Sequence, residues 1–257
     1  MEIINGNALE VLKDFDKQFS LILTSPPYNT SQRAVNAKSL ENHDTRYDIP
    51  IDNKTADEYA KWCVDVFNLF DKVLEENGVV LWNASYSSAG AHNVDREGIN
   101  SLWFSLSDIL KKTNFMIADK LTWKKRNALP NNSSKNKLTR ICEDVFVFCR
   151  KDEYLTFNAN KPVSSIGTNG QTFYKCIYNF IEAPNNDGKN SLNKATFSKE
   201  LVTKLLDVYY VRGMVLDPFM GTGTTLCACK QLNIDAIGIE LSEKQCIFAK
   251  ERLVNEL

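Results

Sequence analysis

The segment from Val215 to Glu240 restricts the fold more than any other part of the chain. It reads as a short strand (Met214–Asp217), a Gly-rich turn, a helix (Thr224–Gln231) and a second strand (Ala236–Glu240), with a terminal helix at Ser242–Val254. Strands that alternate with helices at such short intervals belong to an α/β architecture rather than to a bundle or a sandwich.

The turn itself, Asp217-Pro218-Phe219-Met220-Gly221-Thr222-Gly223-Thr224-Thr225, places two glycines directly after a strand and before a helix. Glycine lacks Cβ and tolerates positive φ, so backbone at such a turn can approach a ligand closely. A phosphate-binding loop of the form GxxxxGK[ST] is excluded by spacing and by the missing lysine. The dinucleotide fingerprint GxGxxG fails because Leu226 stands at the third glycine position. Glu240 ends the next strand, 17 residues after Gly223. A carboxylate there can accept both ribose hydroxyls of a nucleoside, which favours an adenosine-type cofactor over a bare phosphate.

The same alternation extends upstream. Residues 19–25 form an apolar run, too short for a helix, that ends at Pro26-Pro27 and so reads as a buried strand entering a rigid loop. Residues 29–56 are polar and lack hydrophobic periodicity, as expected of a long mobile loop. Tyr59, Trp62, Val66, Leu69, Phe70 and Val73 then recur at helical spacing, predicting an amphipathic helix from Thr55 that stops before Asn77-Gly78, with Gly78 as its cap. Val79–Trp82 predicts a strand, Ile99–Lys112 a helix, Phe115–Trp123 and Asp144–Cys149 a strand pair, and Lys199–Tyr209 a helix. Residues 150–193, rich in Asn, Gly, Ser and Lys, predict a small insertion with little core of its own.

The 257 residues, 43% of them hydrophobic, are enough for one sizeable core. The seven cysteines are scattered without CxxC spacing, which predicts reduced thiols and neither a disulfide framework nor a zinc site. His43 and His92 lack partners at ligand spacing, so no metal is expected. No signal peptide or membrane-length apolar run is evident, and a cytoplasmic protein with no membrane partner is expected. The net charge of −1 supplies no general attraction to nucleic acid. Between Lys120 and Arg140, however, every charged residue is basic, which marks Lys124–Arg140 as a basic loop or a solvated surface.

Thr24-Ser25-Pro26-Pro27-Tyr28 closes the early strand. Consecutive prolines fix φ and remove two N–H donors, so the loop is rigid and cannot join a sheet ladder that would occupy its carbonyls. Ser25 Oγ and the Pro26 carbonyl are candidate acceptors. Such a pair can accept the hydrogens of an exocyclic base amine and localise its lone pair, stabilising charge that develops only in the transition state. Tyr28 can stack on a base extruded from a duplex.

With its two motifs in this order the chain resembles the β-class amino-methyltransferases of DNA, which are circularly permuted so that Ser/Asp-Pro-Pro-Tyr precedes Phe-x-Gly-x-Gly. Asn5-Gly6-Asn7-Ala8-Leu9-Glu10 is similar to the family's Gly-Asp-Ala segment, with Asn7 replacing the acid that contacts the cofactor adenine. Arg46-Tyr47-Asp48 and Tyr59-x-x-Trp62 resemble the segment after the catalytic loop. Trp123-Lys124-Lys125 and Asp144–Phe148 resemble the strands flanking a DNA-facing loop. Ala195-Thr196-Phe197 with Glu200-Leu201 resembles a segment near the methionine end of the cofactor, without its histidine and prolines.

The resemblance implies an α/β, Rossmann-like, mostly parallel seven-stranded sheet with helices on both faces, in one domain spanning residues 1–257. It implies S-adenosylmethionine as cofactor, held by Asn7, Ala8, Thr24, Ser25, Thr196, Phe197, Asp217, Pro218, Phe219, Gly221, Thr222, Gly223, Thr224, Thr225, Glu240 and Leu241. Ser25, Pro26, Pro27 and Tyr28 are then the catalytic residues. Double-stranded DNA is the partner, met by Lys124, Lys125, Arg126, Lys135, Lys137 and Arg140, with residues 150–193 as a small recognition element. A cognate restriction endonuclease and a homodimer are further expected partners. Ser25 favours cytosine N4 as the target, whereas Asn29 after Tyr28 resembles the adenine N6 enzymes. RNA or protein-amide methylation, and a non-catalytic nucleic-acid-binding module, are the remaining readings.

Overall fold

The structure is a computed structural model that describes residues 1–29, 54–84, 101–128, 130, 135, 138–188, 192 and 196–255. Most of the 29–56 loop, Lys137, Ala195, His43, His92 and Arg46-Tyr47-Asp48 lie outside the described residues.

The chain runs through β1 (Glu2–Asn5), α1 (Ala8–Val11), β2 (Phe19–Thr24), α2 (Ala56–Val73), β3 (Leu74–Ala84), α3 (Ser101–Lys112), β4 (Phe115–Lys125) and β5 (Cys142–Arg150). It continues through β6 (Val163–Ile166), β7 (Thr172–Tyr174), β8 (Phe180–Ala183), α4 (Lys199–Tyr209), β9 (Val215–Asp217), α5 (Thr224–Gln231), β10 (Ala236–Glu240) and α6 (Glu243–Asn255). Eight strands form one sheet in the order β1-β10-β9-β2-β3-β5-β4-β8. All neighbours are parallel except β5, which runs antiparallel to both β3 and β4.

Side chains of successive strand residues alternate between two cores. Ile22, Val80, Trp82, Phe146 and Phe148 pack with α1, α2 and α3, around Phe67 and Phe70. Leu21, Leu23, Val79, Leu81, Val145 and Val147 pack on the other face with α4, α5 and α6. Both faces of the sheet are covered, which is why these strands read as continuous apolar runs in the sequence.

Three expectations are corrected. The main sheet has eight strands rather than seven, because Phe180–Ala183 pairs in parallel with Thr122–Lys125 at one edge. That strand places Ile181 and Ala183 in the second core, so the 150–193 region is not without core contacts. Its exposed part is the β6–β7 hairpin, which forms a separate two-stranded sheet. Gly78 is not the cap of α2: the helix ends at Leu74 in an extended conformation and the left-handed position is Asn77, at φ 60°. The amide side chain makes Asn the residue other than Gly that best tolerates this conformation. At the other end, Thr55 and Glu58 form a reciprocal capping box that starts α2 where the sequence places it.

Candidate active site

β2 and β9 lie side by side in the sheet, so their carboxyl ends bring the Ser-Pro-Pro-Tyr loop and the Gly-rich turn together. Thr24 and Asp217 make the junction: Thr24 Oγ1 donates to Asp217 Oδ1 at 2.7 Å. Asp217 is fully buried and also accepts from the Thr225 hydroxyl and from the Phe219 N–H at 3.1 Å. Burial pushes its carboxyl up to about 6, against the opposing pull of those three donors.

After Asp217 the turn swings through Gly221 at φ 53° and Gly223 at φ 82°, both left-handed. A Cβ on Gly223 would come within 2.9 Å of Ala249 Cβ, so this position combines a conformational with a steric requirement for glycine. Glu240 closes the turn: its Oε2 accepts from Gly221 N at 2.9 Å and its Oε1 from Ser242 N at 2.8 Å. Thr222 and Thr224 are buried, and among the described residues neither Oγ1 has a hydrogen-bond partner. Unpaired buried hydroxyls are costly, and their clustering in one loop matches a polar ligand. Phe219 rests against Trp62 of α2 at 5.3 Å and Trp82 of β3 at 6.4 Å between ring centroids.

At the amino-terminal motif, Tyr59 of α2 donates its hydroxyl to the Pro27 carbonyl at 2.7 Å and anchors the loop. Asn29, at φ 48°, exchanges two hydrogen bonds with Lys54, tying together the two ends of the segment between them. Tyr28 is only 8% exposed, so the stacking face expected of its ring is not on display. Its hydroxyl lies 2.8 Å from Ser25 Oγ, 2.6 Å from Asn83 Nδ2 and 3.4 Å from Glu143 Oε2. Asn83 and Glu143 were not singled out by sequence. The usable signal for Asn83 was a polar residue ending the apolar run Val79–Trp82, at the carboxyl end of a central strand, where α/β sites form.

The other expected cofactor residues are distributed around this edge. Asn7 caps α1, accepting from Leu9 N at 3.0 Å, while Gly6 N donates to Glu240 O at 2.9 Å, so β1 delivers Asn7 and Ala8 next to the end of β10. Leu241 follows Glu240 and is exposed. Phe197 is buried in the second core, with Thr196 before it and Ser198 capping α4. Pro218 is buried within the turn. Burial pushes the thiols of Cys63 and Cys229 up to about 12 and those of Cys149 and Cys246 to about 11, which removes them as nucleophiles.

The basic loop differs most from its sequence reading. Acid-free along the chain, it meets carboxylates from elsewhere: Lys124 pairs with Glu182, Lys125 with Glu143 and Arg126 with Glu200. The Lys124 bond holds the Glu182 carboxyl below the usual range, and Lys204 does the same for Glu200. Lys125 also lies over the Trp123 ring and is mostly buried. Lys135 is exposed. Among the described residues no helix is long and apolar enough to cross a membrane.

The solved structures that this chain resembles share its fold. The cytosine-N4-specific PvuII DNA methyltransferase superposes with a TM-score of 0.68 at 16% identity, covering 99% of this chain and 93% of its own. M1.HpyAVI in complex with SAM gives 0.61 at 22% identity, with 98% of each chain covered. Among curated relatives, the type II methyltransferase M.SmaI of Serratia marcescens is 25% identical over 279 residues, covering 98% of this chain and 90% of its own length. M.BglII of Bacillus subtilis is 22% identical, over 99% of this chain and 69% of its own. The N6/N4 methyltransferase family, described as DNA methylase, matches residues 19–251. With that match spanning nearly the whole sequence and both motifs at one sheet edge, the chain belongs to the N6/N4 DNA methylase family.

Proposed function

We propose that this DNA methylase transfers a methyl group from S-adenosylmethionine to the exocyclic amine of a base extruded from duplex DNA, with cytosine N4 preferred and adenine N6 the alternative. The observation that carries the reading is the Thr24–Asp217 bond, which fixes the loop suited to an amine beside the turn suited to a nucleoside cofactor.

The residues of the turn fit that cofactor. Gly221 and Gly223 bring backbone close, the buried hydroxyls of Thr222 and Thr224, without a hydrogen-bond partner among the described residues, can pair with polar groups of a ligand, and Glu240 lies where ribose hydroxyls would be recognised. Asn7, Ala8 and Leu241 border the adenine side, and Thr196 and Phe197 the methionine side. Bound there, S-adenosylmethionine supplies an electrophilic methyl carried on a sulfonium sulfur. Ser25 Oγ and the Pro26 carbonyl accept the amine hydrogens, drawing the nitrogen toward a tetrahedral, nucleophilic geometry. Asp217 acts indirectly, by holding Thr24 and the start of the turn together.

The preference for cytosine rests on Ser25. DNA approaches over the loop Lys124–Arg140, with Lys124, Arg126, Lys135, Lys137 and Arg140 on its phosphates. The β6–β7 hairpin, with Val163, Ile166, Phe173 and Tyr174 exposed, serves target recognition. A restriction endonuclease of the same specificity and a second copy of the chain are the proposed partners, in the cytoplasm of a bacterium or archaeon.

The test is to incubate the protein with unmethylated genomic DNA and S-adenosylmethionine, digest, and identify the modified nucleosides by mass spectrometry. N4-methylcytosine is expected. N6-methyladenine alone would overturn the base preference, and no methylated nucleoside would overturn the reading itself.

A further inference from the structure

The Tyr28 hydroxyl sits among three polar side chains that differ in what they can do. Asn83 Nδ2, at 2.6 Å, can only donate; Ser25 Oγ, at 2.8 Å, can donate or accept; Glu143 Oε2, at 3.4 Å, can only accept while ionised. Asn83 Nδ2 also donates to Glu143 Oε2 at 3.1 Å, and Lys125 Nζ lies 2.5 Å from Glu143 Oε1. Side-chain exposure of the Lys125–Glu143 pair is 15% and 10%. Resting on the methyl-transfer reading of Ser25, we propose that Glu143, clamped by Lys125, is a positioning residue that sets the direction of the Asn83–Tyr28–Ser25 hydrogen-bond chain, so that Ser25 Oγ presents a lone pair rather than its proton to the target amine.

A carboxylate facing Asn83 fixes the amide with its nitrogen toward Glu143 and Tyr28, because the opposite orientation would set Oδ1 against a negative oxygen. Tyr28 therefore receives a donor from Asn83 and must place its own proton on Ser25 or on Glu143. The Ser25 contact is the shorter, but the negative charge lies on Glu143, and a charge-assisted bond is about twice as strong as a neutral one. With the Tyr28 proton drawn to Glu143, Ser25 donates to Tyr28; Asn83 Nδ2 also approaches Ser25 Oγ, at 3.4 Å, and Ser25 keeps a lone pair for the incoming base. Lys125 has a second task in this scheme. Its ammonium faces the other oxygen of Glu143, whose side chain is 10% exposed, so the two form a largely buried ion pair.

Glu143→Gln separates this role from packing. Lys125 favours the Gln carbonyl oxygen on its own side, which turns the Gln amide nitrogen toward Asn83 and Tyr28 and reverses the chain. The kcat for tritiated methyl transfer to unmethylated genomic DNA is expected to fall about tenfold or more, while KM for S-adenosylmethionine and for DNA stays within about twofold. Tyr28→Phe should lower kcat as well, and the double variant should be no slower than Tyr28→Phe alone. Additive losses, or an unchanged kcat in Glu143→Gln, would overturn the proposal.

A second readout needs neither cofactor nor DNA. The Tyr28 component of the tyrosine Raman doublet, isolated by subtracting the Tyr28→Phe spectrum, should be that of a hydroxyl donating to a negative acceptor. In Glu143→Gln it should move to that of a hydroxyl shared between neutral partners. If Glu143→Gln does not fold, the wild-type component alone decides, and a hydroxyl that does not donate to a charged group sinks the proposal. If wild type transfers no methyl to DNA, the functional reading fails, and the Raman comparison still settles the direction of the chain.

Discussion

Replacing Asp217 with Asn tests whether the junction of the two motifs contains a carboxyl held above its ordinary range. In the folded protein this group titrates at about 6, against 3.8 when solvated, chiefly because it is completely buried. Between those values the folded state holds a proton that the unfolded chain has released, so stability decreases as pH rises through that window. A gap from 3.8 to about 6 corresponds to about 3 kcal/mol. Asp217→Asn keeps a carbonyl oxygen for Thr24 and the Phe219 N–H, while the Thr225 hydroxyl can rotate to accept from the new amide. The variant therefore keeps the wiring and loses the titration. Urea unfolding followed by tryptophan fluorescence, with Trp82 and Trp123 buried in the two cores, measures both proteins at a series of pH values. The stability of wild type relative to Asp217→Asn should fall by about 3 kcal/mol as pH rises from well below 3.8 to well above 6, about 2.4 kcal/mol of it above pH 4, and be flat beyond that. A difference constant to within about 0.5 kcal/mol across the range would show that the Thr24, Thr225 and Phe219 donors offset the burial completely, and the reasoning would be wrong.

Gly223→Ala should destabilise the protein by about 1–3 kcal/mol in the same urea assay, since a left-handed residue meets Ala249, and should weaken S-adenosylmethionine binding in calorimetry. Glu240→Ala should raise the cofactor Kd about tenfold or more by calorimetry, through loss of a ribose acceptor and release of Gly221 N. Lys124→Ala with Arg126→Ala should leave the melting temperature nearly unchanged, because both ion pairs are exposed, yet weaken DNA binding and flatten its salt slope; a slope equal to wild type would place the DNA elsewhere.

What the sequence disclosed depended on whether the signal was local. β10, α4 and α5 fall on the residues that periodicity and Gly punctuation marked, and Thr55 caps α2 as its neighbours predict. β8 was hidden because only Ile181 and Ala183 of its four residues face a core, which leaves no run to recognise. β1 was hidden by its half-exposed edge position, where Glu2 and Asn5 interrupt the apolar pattern. The ion pairs of the cationic loop are hidden for a different reason. Its partners Glu143, Glu182 and Glu200 come from β5, β8 and the start of α4, so charge counted along the chain does not give charge in space. Asn83 and Glu143 escaped likewise: each is an ordinary polar residue at a strand end until the sheet order sets it against Tyr28.

The sheet order also accounts for where the site lies and why the order of the motifs along the chain does not matter to it. From β2 the chain crosses through α2 to β3 on one face of the sheet, and from β9 it crosses through α5 to β10 on the other. At the β2–β9 boundary the two crossovers depart in opposite directions, which opens a crevice above the carboxyl ends of those strands. Thr24 and Asp217 are 193 residues apart yet bond across that boundary, so their proximity derives from strand adjacency alone. A rearrangement that preserves the adjacency of β9 and β2 leaves the two loops facing each other, whichever is translated first. What must be preserved is the carboxyl-edge alignment, and a fully buried Asp217 that accepts from both Thr24 and Thr225 maintains it between strands that share only two register pairs, Leu21 with Val215 and Ile22 with Leu216.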